Sequence, residues 1–166
     1  MKIIIAPLGG LIGAILGGIL WAKYIQWTGN TAGFIAIGIG ALTGIGMLLT
    51  CSGAIETNAK NHWLMVAFGA AVFAIAGIFI GKYLDVQWNA VPQIAEQLMA
   101  NEPHLLEEAA ISIAETQYSG QTKWEHMKDR MDWFDLLFGV VAVFVAFYIT
   151  FNSRVRNIIY KFGGSN

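Results

Sequence analysis

Four uninterrupted apolar stretches constrain this chain more than any other feature of its sequence. They lie at 3–22, 32–50, 63–81 and 133–151, and Asp135 is the one charged residue within them. A helix needs about 20 mostly apolar residues to cross the hydrocarbon core of a bilayer. The sequence therefore predicts an all-α polytopic membrane protein, with four transmembrane helices in a single membrane domain over 1–166.

The composition narrows the classes of partner and cofactor. Only 13% of the residues are charged, against about 25% in soluble domains. The net charge is −1 and there is no basic stripe, so no nucleic-acid partner is predicted. The single cysteine, Cys51, excludes an internal disulfide and a cysteine-rich metal site. His62, His104 and His126 all lie outside the apolar stretches, which argues against a haem held between membrane helices.

The connections between the stretches predict their arrangement. The first two connections are short and polar, so each joins two stretches that are antiparallel neighbours. The third and fourth stretches are about fifty residues apart, and 86–132 is predicted to be an extramembrane, mostly helical segment. Its apolar stripes are typical of a surface lying on the membrane or on the bundle, and a partner-binding or substrate-binding lid is the alternative.

Three short helices are predicted in the extramembrane segment. One covers about 93–100, and a second begins at a cap on Asn101 and stops at Gly120. Thr122 and Glu125 have the spacing of a capping box, in which the side chain of each residue bonds the backbone N–H of the other. The helix that starts there is expected to continue without a break into the fourth span.

The ends of the first and third stretches resemble each other. Residues 18–25 and 77–84 both begin Gly-Ile and both carry Lys-Tyr near their ends, and a Gln-Trp pair follows each. This fits a parallel duplication of a two-helix unit, as in some transporters, but the second and fourth stretches match poorly. The alternative is that any helix leaving a membrane places a lysine and aromatic rings at the headgroups.

Small residues recur every four positions in the first three stretches, in a glycine-zipper pattern. Such residues let helix backbones approach closely. The pattern predicts tight packing within one chain, and the alternative is a face for oligomers or for a partner's helix. The fourth stretch is aromatic instead and is expected to face lipid. The predicted packing residues are Gly9, Gly13, Gly17, Gly40, Gly44, Gly77 and Gly81.

One cluster of polar side chains is predicted where helices leave the membrane. Asp135 lies in the first turn of the fourth span, where a carboxylate suits the positive end of a helix. It lies on the same membrane side as Lys23 and Lys82, each followed by a tyrosine, Tyr24 and Tyr83. An interfacial ion pair is the first interpretation, and a functional acid is the second.

A metal site is not predicted. His126 with Glu125 and Asp129 could supply ligands at helical spacing, but such sets arise easily by chance in an acidic segment. The sequence has no readable catalytic set and predicts no cofactor, although bound lipid is expected.

Four segments resemble a widespread group of small bacterial four-helix membrane proteins with no assigned function. They are GG at 17–18 with WA at 21–22, TG at 28–29 with GFIAIGIG at 33–40, GKY at 81–83, and FDLL at 134–137. Asn30 and Phe34 depart from the aromatic residues, Tyr and Trp, that this group is expected to have there. The resemblance implies a bacterial inner-membrane protein and brings no catalytic or binding residue.

Orientation and function complete the expectations. Four spans put both termini on one side, and the two sides carry five Lys and Arg residues each. The clustered cations of the C-terminal tail and the N-terminal amine favour the cytoplasm for both termini. The predicted function is non-enzymatic helix–helix assembly, as a subunit of a complex or as a partner-binding module. The predicted partners are membrane lipids and other membrane subunits or further copies of the chain. A small oligomeric channel or transporter lined by glycine backbone and Thr43 is the alternative. A membrane enzyme or metal-binding protein using the acidic segment comes third.

Overall fold

The computed structural model describes residues 6–29, 33–51, 60–120, 122–129, 131 and 133–162, without the side chains of residues 60, 61 and 162. Within these ranges every regular element is a helix, and four of the helices are long and apolar enough to cross a membrane. This confirms the predicted all-α class with four spans. The helices are α1 (Ala6–Thr28), α2 (Phe34–Cys51), α3 (Lys60–Asn101), α4 (Glu107–Ser119), α5 (Lys123–Asp129), α6 (Trp133–Phe151) and α7 (Ser153–Phe162).

The four spans form a bundle in which α1 packs between α2 and α3, and α6 packs on the other side of the same two helices. Trp21, Ile39 and Leu48 are fully buried at its centre. The bundle does not enclose its helices equally. In its most apolar 18-residue window α6 has 22% of its residues buried, against 44% to 50% in the other spans. Helix α6 is therefore the peripheral span.

Glycines allow the backbones of the spans to approach one another closely. A Cβ atom added to Gly9 or Gly13 would overlap backbone atoms of α2, and one added to Gly40 would overlap the carbonyl oxygen of Ala142 on α6. The other four predicted packing glycines are also at contacts between helices of the same chain. Gly17 faces Ile39, Gly44 faces Ile149 and Ala146, Gly77 faces Ala14, and Gly81 faces Trp21.

Helix α3 differs most from its predicted bounds. A break after residue 81 and a separate helix at 93–100 were expected, and both expectations are wrong, because α3 continues to Asn101 with Pro92 inside it. Asn101 is the last residue of α3, so it does not cap the next helix, which begins at Glu107. At 1.5 Å per residue, the 42 residues of α3 measure about 63 Å, roughly twice the hydrocarbon core. About half of the helix therefore extends beyond the hydrocarbon core.

Burial explains why α3 continues through its proline. Pro92 removes one backbone hydrogen bond, but apolar residues on both sides of it pack against α4 and α5. Val86 and Ala90 cluster with Met127 of α5, and Ala95 clusters with alanines of α4. The extramembrane helices therefore rest on α3.

The other boundaries follow local backbone chemistry. Helix α1 runs past its predicted end at residue 22 and stops at Gly29, which has a φ of 66° and donates its N–H to the Ile25 carbonyl. The predicted capping box is present: the Thr122 N–H donates to Glu125 Oε2 at 2.8 Å, and the Glu125 N–H donates to Thr122 Oγ1 at 3.3 Å. The helix does not continue into the fourth span, since α5 ends at Asp129 and α6 begins at residue 133. Helix α6 has its predicted bounds, 133–151.

Helix α7 was not predicted. Asn152 caps its N-terminus: Asn152 Oδ1 accepts hydrogen bonds from the backbone N–H groups of Arg154 at 2.9 Å and Val155 at 3.4 Å. The Arg156 guanidinium lies 4.1 Å from the centre of the Trp63 ring and donates to the Phe151 carbonyl at 2.9 Å. These contacts join Arg156 to the end of the bundle.

Candidate functional site

A buried ion pair joins the peripheral span to the bundle. Lys82 Nζ on α3 lies 2.7 Å from Asp135 Oδ2 on α6, and the two side chains are 3% and 2% exposed. Removing two charges from water is costly unless their geometry is good. A short contact between the ends of two spans provides that geometry and fixes the rotation of α6 against α3.

The rest of the predicted interfacial cluster is spread over other contacts. Lys23 donates to Gln26 Oε1 at 2.8 Å and lies 5.0 Å from the Trp88 ring centre, away from the ion pair. Tyr24 packs edge-on against Phe34, with ring centroids 5.4 Å apart. Tyr83 lies under Lys123, whose Nζ is 5.6 Å from the ring centre. Of the five predicted residues, the structure brings Lys82 and Asp135 together.

A polar row continues along α3 beyond the ion pair. Asp85 and Asn89 are 4% and 5% exposed, and Asn89 Nδ2 donates to Asp85 Oδ1 at 2.8 Å. Residues 82, 85 and 89 share one helix face because their spacing is three and four. Sequence reasoning missed this row because it ended the helix at residue 81, although the spacing of the three side chains was visible.

An apolar groove lies beside the ion pair, between α3 and α6. Its volume is about 660 Å³. It runs from Met131 and Trp133 to Val143, and Asp135 is the one charged residue among the described residues of its lining. Gly139 forms part of the wall, where an added Cβ would meet only Ile78 Cδ1, at 3.9 Å. Gly139 therefore leaves space in this wall at the point where α6 faces Ile78.

The outer surface of α6 carries an ordered aromatic ladder, formed by Phe144, Phe147, Tyr148 and Phe151. Phe144 stacks on Tyr148 with centroids 6.5 Å apart and planes at 15°, and Phe147 stacks on Phe151 at 5.5 Å and 23°. Phe144, Tyr148 and Phe151 are 69%, 51% and 42% exposed. A shallow cavity of about 260 Å³ lies among the four rings. Phe147 also packs edge-on against Phe68 of α3, with centroids 6.4 Å apart, so Phe144, Tyr148 and Phe151 are the rings that the ladder exposes.

The unpredicted neighbours of His126 explain its burial. Its ring stacks on Tyr118, with centroids 4.6 Å apart, and its Nε2 lies 3.1 Å from the Tyr118 carbonyl oxygen. Glu125 is engaged by the capping box, and the hydrogen bonds from the backbone and hydroxyl of Thr122 lower the pKa of its carboxyl. Asp129 is exposed. The low-probability metal candidates are thus occupied in helix capping and ring packing, or directed to solvent.

The chemistry available to the described side chains is limited. Among the residues that the structure describes, no three His, Cys, Asp or Glu side chains come together as a metal-binding group. Among the described residues, the features that remain are the ion pair, which joins α6 to α3, the apolar groove and the exposed aromatic ladder. No protein-family model, no curated protein and no solved structure matches this chain.

Proposed function

We propose that this protein is a non-enzymatic membrane subunit that acts by helix–helix assembly, with a partner's transmembrane helix or with another copy of itself. The aromatic ladder of α6 is the proposed contact surface. The observation that carries the proposal is the combination of low enclosure and paired exposed rings at α6. It is the least buried span, yet its outer rings are stacked in pairs.

The glycine faces support this choice of surface by exclusion. Helices in lipid associate through close packing and not through a hydrophobic drive from water. The seven predicted glycines already face other helices of the same chain, so they are occupied. The aromatic ladder remains available among the described residues. Aromatic pairs contribute about 0.5–1.5 kcal/mol beyond their buried area, and preformed stacks lose little side-chain entropy when a partner packs on them.

Oligomeric state measured in bilayer nanodiscs tests the proposal. We expect wild type to give one defined multimer, with itself or with a co-purifying membrane subunit, and the double variant Phe144→Ala/Tyr148→Ala to reduce it strongly. The matched control is Leu16→Ala/Leu20→Ala, which truncates two exposed residues on the lipid-facing side of α1. A strictly monomeric wild type contradicts the proposal, as does equal loss of the multimer in both double variants.

The channel alternative finds little support at its predicted lining. Thr43 is fully buried, and its hydroxyl donates to the carbonyl oxygens of Ile39 at 3.0 Å and Gly40 at 2.9 Å. A hydroxyl that bonds its own helix backbone is not directed into an opening. The neighbouring glycines are likewise packed against backbone atoms.

We further propose a place for the protein in the bacterial inner membrane, among the four-helix proteins that its segments resemble, with both termini in the cytoplasm. Support for the orientation comes from α7, which carries Arg154, Arg156 and Lys161 directly after the last span, since cations are enriched in cytoplasmic loops. Reporter fusions test this. A fusion after residue 166 is expected to be active only with a cytoplasmic reporter, and activity only with a periplasmic reporter contradicts the orientation.

A further inference from the structure

The start of helix α7 is held at the end of the last span. Its first residue, Ser153, follows the final residue of α6, Phe151, after a single intervening residue. The Arg156 guanidinium donates to the carbonyl oxygens of Thr150 at 3.3 Å and Phe151 at 2.9 Å, the last two residues of α6. Because a span ends where the headgroups of the bilayer begin, these hydrogen bonds place the start of α7 at the headgroup level.

The far end of α7 remains against the bundle. Tyr160 packs on Trp63 near the start of α3, with ring centroids 6.2 Å apart, and Ile159 packs on the same buried core. Helix α7 also contacts α2. A helix directed straight away from the membrane would carry residue 160 about 13 Å beyond residue 151 and away from that core. Helix α7 therefore lies across the end of the bundle, along the membrane surface.

One face of α7 is exposed and basic. Arg154 and Lys161 are seven residues apart, about 10 Å along the helix axis. Ile158 lies between them and is 56% exposed. The face combines cations with an exposed apolar side chain, which is typical of a helix in the plane of the membrane interface. Its members share one side of the helix through spacings of three and four, and they are Arg154, Asn157, Ile158 and Lys161.

The sequence at this end of the bundle has a large positive surplus. Residues 1–5, 52–60 and 152–166 precede α1, connect α2 with α3 and follow α6. Together they contain five Lys and Arg residues and one acidic residue, Glu56. The other ten Asp and Glu residues all lie within 85–135. The surplus counts every residue of these segments, so its sign does not depend on where each side chain lies.

We propose that the exposed face of α7 binds the headgroups of anionic phospholipids, with Arg154 and Lys161 on the phosphates and Ile158 toward the acyl chains. Position and charge together identify this occupant. A basic face held at the headgroup level meets the membrane surface itself, and basic segments beside a span are attracted to anionic lipids. The inference goes beyond helix–helix assembly and does not depend on it, since the face on α7 is separate from the aromatic ladder of α6.

Lipid retention measured by native mass spectrometry tests the inference. The full chain is reconstituted in vesicles of equal parts phosphatidylglycerol, which is anionic, and phosphatidylcholine, which is zwitterionic, and is then extracted in mild detergent. We expect wild type to retain mainly phosphatidylglycerol. The double variant Arg154→Gln/Lys161→Gln is expected to lower the ratio of retained phosphatidylglycerol to phosphatidylcholine roughly fivefold for each cation lost.

A matched control removes the same charge from the opposite end of the bundle. Lys123→Gln/Lys128→Gln changes two exposed cations of α5 and is expected to keep the wild-type ratio. The variant Arg154→Lys/Lys161→Arg retains both charges and is expected to do the same.

Screening by salt provides a test on wild type that needs no substitution. At about 1 M salt the Debye length is about 3 Å, so we expect extraction at that concentration to lower the wild-type ratio as the glutamine variant does. Equal retention of the two lipids by wild type, the result expected if α7 binds an acidic protein instead, overturns the inference. So does an unchanged ratio in the glutamine variant with its helical circular dichroism intact, an equal loss in the α5 control, or a wild-type ratio that salt does not lower.

Discussion

Removing the charge of Asp135 is the sharpest perturbation of the bundle. Asp135→Asn preserves the shape of the side chain but removes the counter-charge 2.7 Å from the Lys82 ammonium, which is 3% exposed. Breaking a buried pair by changing one partner typically costs about 3–5 kcal/mol, because a buried charge loses its compensation. At roughly 2–4 °C per kcal/mol for a chain of this length, we expect the melting temperature to fall by roughly 6–20 °C.

The assay is thermal unfolding in detergent micelles, followed by circular dichroism. Lys82→Met is expected to destabilise the protein in the same direction. The double variant Lys82→Met/Asp135→Leu is expected to recover most of the loss, since replacing a whole buried pair by apolar residues is often neutral or stabilising. A double-mutant cycle thus isolates the pair from other effects of each change.

Asp129→Asn is the matched control, because it removes an exposed carboxyl from α5 and surface changes usually stay within about 0.5 kcal/mol. The reasoning is refuted if Asp135→Asn melts within 2 °C of the control, a shift of about 1 kcal/mol or less. It is also refuted if the double variant is as unstable as the sum of the two single variants.

Three further predictions concern packing and titration. Gly40→Ala is expected to cost about 1–3 kcal/mol in the same thermal assay, because its Cβ overlaps the backbone of α6, while Gly38→Ala changes little. The pKa of Glu125 is lowered by hydrogen bonds from Thr122, so its stabilisation of α5 is complete above its ordinary pKa of 4.5 and is lost as pH falls through the lowered value. Amide hydrogen exchange in α5 is expected to show that loss in wild type and not in Glu125→Gln. Burial raises the pKa of Tyr160 to about 12, so we expect ultraviolet absorbance to show its phenol ionising near pH 12. The stability that this residue gives to α7 is expected to fall as the pH rises from about 10 through 12. Ionisation near pH 10 would contradict the burial of Tyr160.

Hydropathy accounts for the parts of the fold that were predictable. A run of about 20 apolar residues has few alternatives to a spanning helix, and the bounds of α6 at 133–151 follow from it directly. The end of α3 did not follow from local signals. Gly81 packs against Trp21 of α1, and Val86, Ala90 and Ala95 around Pro92 pack on α4 and α5, so tertiary burial outweighs local preference.

The ion pair of the candidate site was predictable, because a charged residue in a span needs a counter-charge. The groove was not predictable, because it depends on the distance between two helices. Asp135 was expected to pair with a cation, and Lys23 and Lys82 were the lysines at the ends of spans on the same side of the membrane. Packing directed Lys23 toward Trp88 instead. The groove depends on how far α6 stands from Ile78 at Gly139, which no spacing rule on one helix reveals. Helix α7 was not predicted, although Val155, Ile158 and Ile159 recur at helical spacing after the cap residue Asn152, so its signal was present in the sequence.

A photo-crosslinking residue placed at Phe144 in living cells tests the central claim, assembly through α6, most directly. The same residue placed at Leu16 on α1 serves as control, since both side chains are exposed, at 69% and 49%. We predict one discrete crosslinked species from position 144, of the mass of two copies or of one copy with one membrane partner, and none from position 16. A monomer alone at both positions, or the same products from both, would contradict the account.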